Sequence, residues 1–211
     1  VLPGWPKTLA NWAWSTPVIG DVDGDGTPLA PDNEIVINDL SGWTYAFHHD
    51  GTEVADGDGD PATDGPIAPR RQQDVGGTVY TEFFGRTTPA LLDVDGNGTL
   101  EILFGSKYQN ANAPEFFYAL RVDQPGTNAP GWPKQLPPRS EFLASPTVAD
   151  LDGDGSPEII APCENDQLYV WETDGTDQPG FPVTLANSAI NFDSLTPSPA
   201  VGDFDGDSDL E

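Results

Sequence analysis

The stretch "ASPTVADLDGDGSPEII" (residues 144–160) holds the pattern from which the fold of this chain can be derived. Six residues at its centre, "DLDGDG", carry three carboxylates between two short apolar segments. Carboxylates so close together repel one another in an ordered chain, so something must neutralise them. Apolar or β-branched segments on both sides of a Gly-rich turn are typical of two strands joined by a loop.

The same pattern occurs four times in the 211 residues. The other acidic cores are "DVDGDG" (21–26), "DVDGNG" (93–98) and "DFDGDS" (203–208), so successive copies begin 72, 57 and 53 residues apart. A segment with a Ser-Pro or Thr-Pro step precedes each copy, and a strand-like segment that opens with Glu-Ile follows the first three. Four such copies indicate a repeat architecture.

Two further elements complete each unit. An aromatic segment follows the second strand, and its three copies align on Tyr45, Tyr118 and Tyr169. Because proline cannot donate a hydrogen bond to a sheet ladder, the fourth, proline-rich element belongs at an outer edge. This element occurs as "PGWPK" at 3–7 and 130–134 and as "PGFPV" at 179–183.

The sequence therefore predicts an all-β fold of β-propeller blades, each with four antiparallel strands and an acidic loop between its first and second strands. A β-sandwich is the alternative, but it predicts no fixed motif at every fourth strand. Propellers close with about four to eight blades, so we expect this single propeller segment (1–211) to belong to a longer protein with seven or eight blades, or to be completed by other copies. The predicted division is the last strand of a preceding blade at 1–11, blades at 12–80 (with an acidic insert), 81–138 and 139–185, and the start of the next blade at 186–211.

The chain is strongly acidic, with 35 Asp and Glu against eight Lys and Arg and a formal charge of -27. This charge argues against a nucleic acid or an anionic membrane as partner. Bound cations or life in high salt would explain it, and the scarcity of lysine keeps the second explanation open. No run of eighteen apolar residues occurs, so no membrane-spanning segment is predicted.

Aligned on their first Asp, the loops share the pattern D-h-D-G-[DN]-G-x-x-E, in which h is apolar. Oxygen side chains at positions 1, 3, 5 and 9 of a tight, flexible turn suit a hard cation and favour Ca²⁺ over the strictly octahedral Mg²⁺. The glycines at positions 4 and 6 let the chain bend so that these side chains converge. About one calcium ion per loop is predicted. The predicted ligands are Asp21, Asp23, Asp25 and Glu34 in loop one, Asp93, Asp95, Asn97 and Glu101 in loop two, Asp150, Asp152, Asp154 and Glu158 in loop three, and Asp203, Asp205, Asp207 and Glu211 in loop four.

Two other structures share parts of this pattern. An EF-hand requires an acidic residue at position 12 between two helices, whereas loops two and three have Phe104 and Ala161 there, inside strand-like sequence. Solvated Asp-Gly turns between strands are common and bind no ion. One copy would not distinguish such a turn from a calcium loop, but four copies, all with a carboxylate at position 9 or close to it, favour calcium.

Loop one is irregular, because "TPLAPDN" makes it five residues longer before Glu34. Asp32 or Glu34 could close its ligand shell, and Glu34 is favoured because it opens a strand, as its counterparts do. Another acidic cluster, "DGDGDPATD" (56–64), has the same offsets but no flanking strand. It is either a further metal site in an inserted loop or a disordered acidic loop. Its residues are Asp56, Asp58, Asp60 and Asp64.

The acidic loops, together with their Ser/Thr-Pro and Glu-Ile strands, resemble the FG-GAP or VCBS repeats of integrin α-subunit propellers and of many bacterial secreted proteins. The resemblance extends over nearly the whole chain except the insertions around 53–80 and 106–114. It implies calcium in the loop between the first and second strands of a blade, partners on the opposite face, and secretion or cell-surface display. Extracellular calcium modules with dissociation constants of about 10⁻⁴ to 10⁻³ M agree with this location.

Three functional hypotheses follow. The first is a non-catalytic, calcium-stabilised extracellular module for adhesion, for binding a glycan or protein, or for surface assembly. The second is the propeller part of a secreted enzyme, such as a polysaccharide lyase or hydrolase. The third is a structural protein that assembles with copies of itself into a sheath or filament, because unpaired blade edges invite association.

The remaining reactive and aromatic side chains are predicted to have structural roles, and no catalytic residue is assigned. His48 and His49 lie between a strand and a turn, so we expect them at the surface. Cys163 is the only cysteine, which excludes an internal disulfide, and it should pack as a small hydrophobe. The six tryptophans are expected mainly in the core or between blades, with sugar stacking open for one or two. Arg70 and Arg71, in the longest insertion, should be solvated or pair with nearby Asp.

Overall fold

The structure, a computed structural model, describes residues 2–27, 32–57, 59–60, 65–67, 72–75, 77–83, 86–108, 113–185, 197–207 and 210. Every secondary-structure element assigned in these residues is a β-strand, which confirms the predicted all-β class. None of these segments forms a helix of the length and hydropathy needed to cross a bilayer. The strands are β1 (Val18–Gly20), β2 (Glu34–Asn38), β3 (Thr44–Phe47), β4 (Gln72–Val75), β5 (Thr78–Phe83), β6 (Ala90–Leu92), β7 (Glu101–Gly105), β8 (Lys107–Tyr108), β9 (Glu115–Leu120), β10 (Lys134–Leu136), β11 (Thr147–Ala149), β12 (Glu158–Pro162), β13 (Gln167–Trp171) and β14 (Val183–Thr184).

Two of the sheets are four-stranded antiparallel meanders, the arrangement predicted for a blade. Their orders are β6-β7-β9-β10 and β11-β12-β13-β14, so an acidic loop connects the first two strands of each. A third sheet contains β1, β2 and β3, and residues 65–67 lie at its edge, where the Ile67 amide donates to the Thr44 carbonyl oxygen at 2.9 Å. These sheets are propeller-like blades, and the blade number of the closed ring stays a prediction.

The three aromatic strands have the same register in their sheets, as the alignment on the tyrosines predicts. In each sheet the aligned tyrosine lies opposite the fourth residue of the central strand. The pairs are Tyr45 with Ile37, Tyr118 with Phe104, and Tyr169 with Ala161.

The central strand β7 is buried on both faces, which explains why "EILFG" is apolar without alternation. Ile102 and Phe104 belong to a core cluster that includes Val36 of the β1-β2-β3 sheet. Leu103, between them in sequence, points to the opposite face and packs in a second cluster with Ile159 of β12. The three blade-like sheets therefore stack face to face, with the β7 sheet in the middle.

The Ser or Thr before each repeated proline links neighbouring units through what we call the hydroxyl ladder. The Thr16 amide donates to Thr88 Oγ1 at 3.0 Å, and the Thr88 amide donates to Ser145 Oγ at 2.9 Å. The Ser145 amide donates in turn to Ser198 Oγ at 3.1 Å. These four residues are one repeat apart, so each unit makes the same contact with the next.

The proline-rich element leads into the outer edge strand and also fastens units together. β10 begins directly after Pro133 and lies at the edge of its sheet, as predicted. The indole N–H of Trp132 donates to the Thr173 carbonyl oxygen at 3.0 Å. The indole of Trp5 makes the equivalent bond to the His49 carbonyl oxygen at 2.9 Å. Each tryptophan thus contacts the turn that follows the third strand of the next sheet.

A further three-stranded sheet, β4-β5-β8, joins the two insertions that lie outside the repeat pattern. β4 and β5 form an antiparallel hairpin, and β5 pairs with β8 through Glu82 opposite Tyr108 and Phe83 opposite Lys107. An insertion of the first unit is therefore paired with an insertion of the second. β5 extends across residue 80, and the division of the chain into blades stays a prediction.

Candidate metal centres

Each acidic loop folds around the carboxylate of its first Asp. That carboxylate accepts a hydrogen bond from the amide of the glycine at position 4, at 2.6 to 2.9 Å. These glycines have φ values of 73° to 86°, which residues with a Cβ rarely adopt. The amide at position 5 donates to the carboxylate at position 3, at 3.1 to 3.2 Å. The pairs at positions 1 and 4 are Asp21 and Gly24, Asp93 and Gly96, Asp150 and Gly153, and Asp203 and Gly206.

Loop one departs from loops two and three at position 6. Gly98 and Gly155 occupy this position in loops two and three, with φ values of 90° and 95°. Their amides donate to the second oxygen of the first Asp at 3.0 and 3.1 Å. Gly26 of loop one does not have a positive φ, and a Cβ there would lie 2.3 Å from Asp21 Oδ2. The departure comes just before the extra residues of this loop.

The carboxylates of each loop converge on one another. Within the described residues, each member of a group offers an oxygen within 4.8 Å of the others. Loop three brings together all four of its predicted ligands, whereas the loop-one group lacks Asp25. In loop two, Asn97 Oδ1 accepts hydrogen bonds from the amide and hydroxyl of Thr99 at 2.7 and 2.6 Å. The groups are Asp21, Asp23 and Glu34; Asp93, Asp95 and Glu101; Asp150, Asp152, Asp154 and Glu158; and Asp203, Asp205 and Asp207.

Several residues named in the sequence analysis lie outside the described residues. Glu211, the predicted ninth position of loop four, is one of them. In the acidic insertion, Asp56 and Asp60 are described, and Asp56 accepts a hydrogen bond from the Gly59 amide at 2.6 Å. Ligation by Glu211 and a metal site at 56–64 stay predictions. The others outside the described residues are Asp58, Asp64, Arg70 and Arg71.

The glutamate that begins the second strand is the buried member of its group. Glu34, Glu101 and Glu158 are fully buried, and each begins the second strand of its sheet. In each, Oε2 accepts a hydrogen bond from the amide at position 2, at 2.6 to 2.9 Å. Oε1 is also buried and has no hydrogen-bond partner in the described part of the chain. Loops one to three therefore each contain a buried carboxylate oxygen without a hydrogen bond, and in loop one it lies 3.3 Å from His48 Nδ1.

Glu34, rather than Asp32, takes the place that the glutamates of loops two and three have. Glu34 accepts from the Val22 amide at 2.8 Å, whereas Asp32 Oδ1 lies 3.0 Å from His49 Nδ1. The longer loop one thus keeps its glutamate in the repeated position.

Burial raises the pKa of all three glutamates, and that of Glu101 to about 7. The neighbouring aspartates raise these pKa values further, since like charges disfavour the ionised form. A bound cation would act in the opposite direction, because it stabilises the carboxylate. The groups offer only oxygen atoms, the donor set of hard divalent cations. They could therefore hold a metal ion, and their chemistry fits calcium.

A residue that the sequence analysis did not connect with the loops lies beside each of loops one to three. It is the first residue after the third strand, and we call it the facing residue. A fixed offset of three positions from the aligned tyrosine could have identified it. The facing residues are His48 in loop one, Arg121 in loop two and Glu172 in loop three.

In loop two, the facing residue supplies a positive charge. Arg121 Nη1 lies 3.1 Å from Asp95 Oδ2, and the guanidinium also donates two hydrogen bonds to Asp123 at 2.8 and 2.7 Å. The bonds to Asp123, and then the charges of Asp123 and Asp95, raise the pKa of Arg121. A predicted ligand of loop two is therefore already paired with a cationic side chain.

In loop one, the facing residue is a histidine. His48 Nδ1 lies 3.3 Å from Glu34 Oε1 without forming a hydrogen bond, and Nε2 lies 4.0 Å from Asp23 Oδ2. The His48 side chain is 22% exposed, so the predicted surface position holds only in part for this residue. His49 is 74% exposed, which confirms the prediction for it.

In loop three, the facing residue is an acid. Burial raises the pKa of Glu172, and the negative charges of Glu158 and Asp152 raise it further. The polar donor next to this loop is neutral, since the Gln178 side-chain amide donates to Asp152 Oδ2 at 2.9 Å. Loop three therefore gathers negative charge where loop two has a guanidinium.

The cysteine and the tryptophans follow the predicted packing in part. Cys163 is fully buried in the core, as predicted, and burial raises its pKa to about 12. Trp132 and Trp171 are buried with their ring centroids 5.8 Å apart. Trp12 and Trp14 are 73% and 59% exposed, so these two are exceptions to the packing predicted for most of the tryptophans.

The central part of the chain matches the model of a known protein family. Residues 93–161 match a family model described as an FG-GAP-like repeat. The match begins at the first Asp of loop two and ends in β12, so it contains loops two and three. These residues are similar to an FG-GAP-like repeat, which confirms the resemblance stated above for this part of the chain.

Among solved structures, the chain is similar to the crystal structure of the V. cholerae biofilm matrix protein Bap1, with 18% sequence identity and a TM-score of 0.24. The similarity extends over 87% of this chain and 42% of that chain, so this chain spans less than half the length of Bap1. No curated protein sequence matches the chain.

Proposed function

We propose that the chain is a non-catalytic, calcium-stabilised propeller module that acts outside the cell in adhesion, in binding a glycan or protein, or in surface assembly. The observation that carries this proposal is the buried oxygen of Glu34, Glu101 and Glu158 that has no hydrogen-bond partner among the described residues. Such an oxygen is costly to bury without a partner. A cation among the converging carboxylates would supply that partner in three loops at once.

The donor set and the loop type support calcium as this cation. The groups consist of carboxylates on short Gly-rich turns, and calcium tolerates such flexible, irregular oxygen shells better than magnesium does. When bound, the ion would offset the mutual repulsion of the loop carboxylates. The chain's own residues then fix the junction between the first two strands, because the glutamate belongs to the second strand and bonds to the loop backbone.

Calcium binding also supports a location outside the cell. Loops of extracellular modules bind calcium with dissociation constants of about 10⁻⁴ to 10⁻³ M, so they fill at extracellular but not at resting cytosolic calcium concentrations. The high negative charge disfavours a nucleic acid as partner, and we propose an extracellular protein or glycan instead. A glycan array with the calcium-loaded protein tests the glycan class directly.

The proposal is tested by isothermal titration of calcium into protein treated with chelator. We expect about one ion for each intact loop and one fewer in Asp152→Ala, which removes a carboxylate from the loop-three group. Asp50→Ala is the matched control, because Asp50 is exposed and bonds only locally, to Thr52, among the bonds described. No calcium uptake by the wild type would overturn the proposal, and an unchanged count in Asp152→Ala would overturn the assignment of loop three.

Self-assembly is a second candidate function, and one observation favours it. Leu91 in β6 packs against the core between sheets, and so does its repeat equivalent Val148 in β11. Ile19, the equivalent residue in β1, is 65% exposed. This face is shaped to be covered by another blade. Analytical ultracentrifugation over a concentration series tests whether a second copy covers it, and Ile19→Ser should then weaken association.

A further inference from the structure

We propose that the facing residue sets the calcium affinity of its loop, so that loop three, with Glu172, fills at lower calcium than loop two, with Arg121. This inference rests on the proposed calcium function. It adds that the repeated loops are not equivalent and names the residues that make them differ.

The register of the sheets places the facing residues in equivalent positions. Leu120, the last residue of β9, pairs with Ile102, and Trp171, the last residue of β13, pairs with Ile159. In an antiparallel pair, the next residue of the third strand comes level with the residue before that partner on the second strand. Arg121 therefore comes level with Glu101, and Glu172 comes level with Glu158. These glutamates are the ones with the buried, unpaired Oε1.

In loop two, a cation must bind beside a guanidinium that is already in place. Arg121 lies 3.1 Å from Asp95, and its two bonds to Asp123 fix its orientation. The Arg121 side chain is only 15% exposed, so solvent screens its charge incompletely. The ion would be repelled by this charge and would compete with it for Asp95.

Loop three lacks this repulsion and carries more acid. Its group contains four carboxylates, one more than the group of loop two, where Asn97 occupies position 5. Glu172, which comes level with Glu158 in the register of β12 and β13, adds a fifth carboxylate beside the group. The nearby donor, Gln178, carries no charge. Both differences favour cation binding at loop three.

The expected difference in affinity is large enough to order the binding steps. A unit charge several ångström from a divalent ion changes the binding constant on the order of tenfold even at the dielectric constant of water, and by more where solvent is partly excluded. At calcium concentrations between the two dissociation constants, the β11-β12 junction would be calcium-bound while the β6-β7 junction is not. The module would then stiffen in steps as calcium rises.

The test is a calcium titration of the whole chain followed by ¹⁵N NMR. The amides of Gly153 and Gly155 report on loop three, and those of Gly96 and Gly98 report on loop two. Each of these amides donates a hydrogen bond to the first Asp of its loop. We expect the loop-three signals to reach half-saturation at a calcium concentration roughly tenfold or more below that of the loop-two signals.

Two substitutions should change the calcium affinities of the two loops in opposite directions. Arg121→Gln should raise the calcium affinity of loop two by about tenfold, whereas Arg121→Lys, which keeps the charge, should leave that affinity low. Arg139→Gln is the matched control, since Arg139 is exposed and its neighbour Ser140 bonds to the turn between β12 and β13.

Glu172→Gln should lower the calcium affinity of loop three by a similar factor, about tenfold. Asp166→Asn is its control in the same sheet, because the positive φ of Asp166, 63°, is one that Asn tolerates.

The outcomes separate this inference from the calcium proposal. If no loop glycine shifts with calcium, the calcium function itself fails. If both loops bind but Arg121→Gln leaves the loop-two affinity within about twofold of the wild type, the inference is overturned and the calcium function stands. The wild-type order is an independent test that needs no variant: filling of loop two before or together with loop three overturns the inference.

Discussion

The two ends of the sheets treat buried polar groups in opposite ways. At the end with the turns between second and third strands, the chain supplies the partners itself. Asp39 accepts from the amides of Asn11 and Ser41 at 3.0 and 2.8 Å, and the Asn165 amide donates to Ser140 and Tyr169 hydroxyls at 2.9 Å. At the acidic-loop end, each glutamate keeps an unpaired oxygen. Three of the four buried, unpartnered side-chain atoms among the described residues are these oxygens, and the fourth is Asn38 Nδ2.

Under the proposed calcium function, this contrast indicates which part of the molecule should depend on calcium. At the turn end the chain supplies the partners of its buried side-chain atoms except Asn38 Nδ2, whereas at the loop end the proposed ion would be the partner of the glutamate oxygens. Calcium should therefore change the stability of the loop end and leave the turn end unaffected.

Removal of calcium should have the largest effect. A ligand at fifty times its dissociation constant stabilises the folded state by about 2 kcal/mol per site, so several loops together contribute several kcal/mol. For a chain of this size, we expect chelation by EDTA to lower the thermal midpoint by more than about 10 °C, measured by calorimetry. Magnesium in place of calcium serves as the control and should restore only part of the loss.

A melting curve that does not move with EDTA would contradict the calcium hypothesis. The excess of acid over base would then be explained by adaptation to high salt. In that case, molar potassium chloride should stabilise the chelated protein as well as calcium does.

At the turn end, Asp39→Ala should destabilise the fold with or without calcium. The Asp39 carboxylate accepts four hydrogen bonds in a buried turn, so its loss should cost about 2 to 4 kcal/mol. Urea unfolding in calcium and in EDTA measures the cost in both conditions. Asp50→Ala, in an exposed turn, is the control and should cost less than about 1 kcal/mol. A cost that depends strongly on calcium would show that the two ends are coupled.

At the loop end, Glu158→Gln should change stability in a direction that depends on calcium. Without calcium, it removes a buried carboxylate surrounded by like charges, so stability should rise by about 1 kcal/mol. With calcium, it removes a ligand, so stability should fall by about 1 to 2 kcal/mol. Urea unfolding of the variant and the wild type in the two conditions detects this reversal. A change of the same sign in both would contradict the role assigned to Glu158.

The smallest expected effect concerns the pH dependence of the turn end. Burial and the hydrogen bond with Glu141 raise the pKa of Glu164 to about 7. A carboxyl group whose folded pKa lies above its unfolded value stabilises the fold most at low pH, and this contribution is lost as pH rises through about 7. When the pH rises from 5 to 8, the free energy of unfolding of Glu164→Gln should therefore fall by about 1 kcal/mol less than that of the wild type, after allowance for solvent screening. Unfolding in saturating calcium checks this, since the loop glutamates then stay ionised.

The repeat made much of this structure predictable. Four acidic cores with equal flanks locate the strands around the loops, and three aligned tyrosines fix the register of the third strands. Glu34 could be chosen over Asp32 because it opens a strand. These inferences succeed because the same local sequence is tested several times within one chain.

Features that depend on contacts between repeats were not predictable in the same way. The β5-β8 pairing joins two insertions that share no pattern, so nothing in either one indicates the other. The roles of His48, Arg121 and Glu172 are hidden because their residue types differ, although their positions are equivalent. Trp12 and Trp14 look like core residues by type, yet both are exposed, which residue type alone does not predict.

The hydroxyl ladder has a consequence for how such a chain can grow. The spacing of its residues varies between 72 and 53, yet the three hydrogen bonds measure 3.0, 2.9 and 3.1 Å. Each joint has an amide on one unit and a hydroxyl on the next, so every unit is a directional building block with one donor side and one acceptor side. A gene duplication that copies a whole unit would insert a block whose two sides already match its new neighbours. Insertions such as the β4-β5 hairpin can lengthen a block without changing the joint.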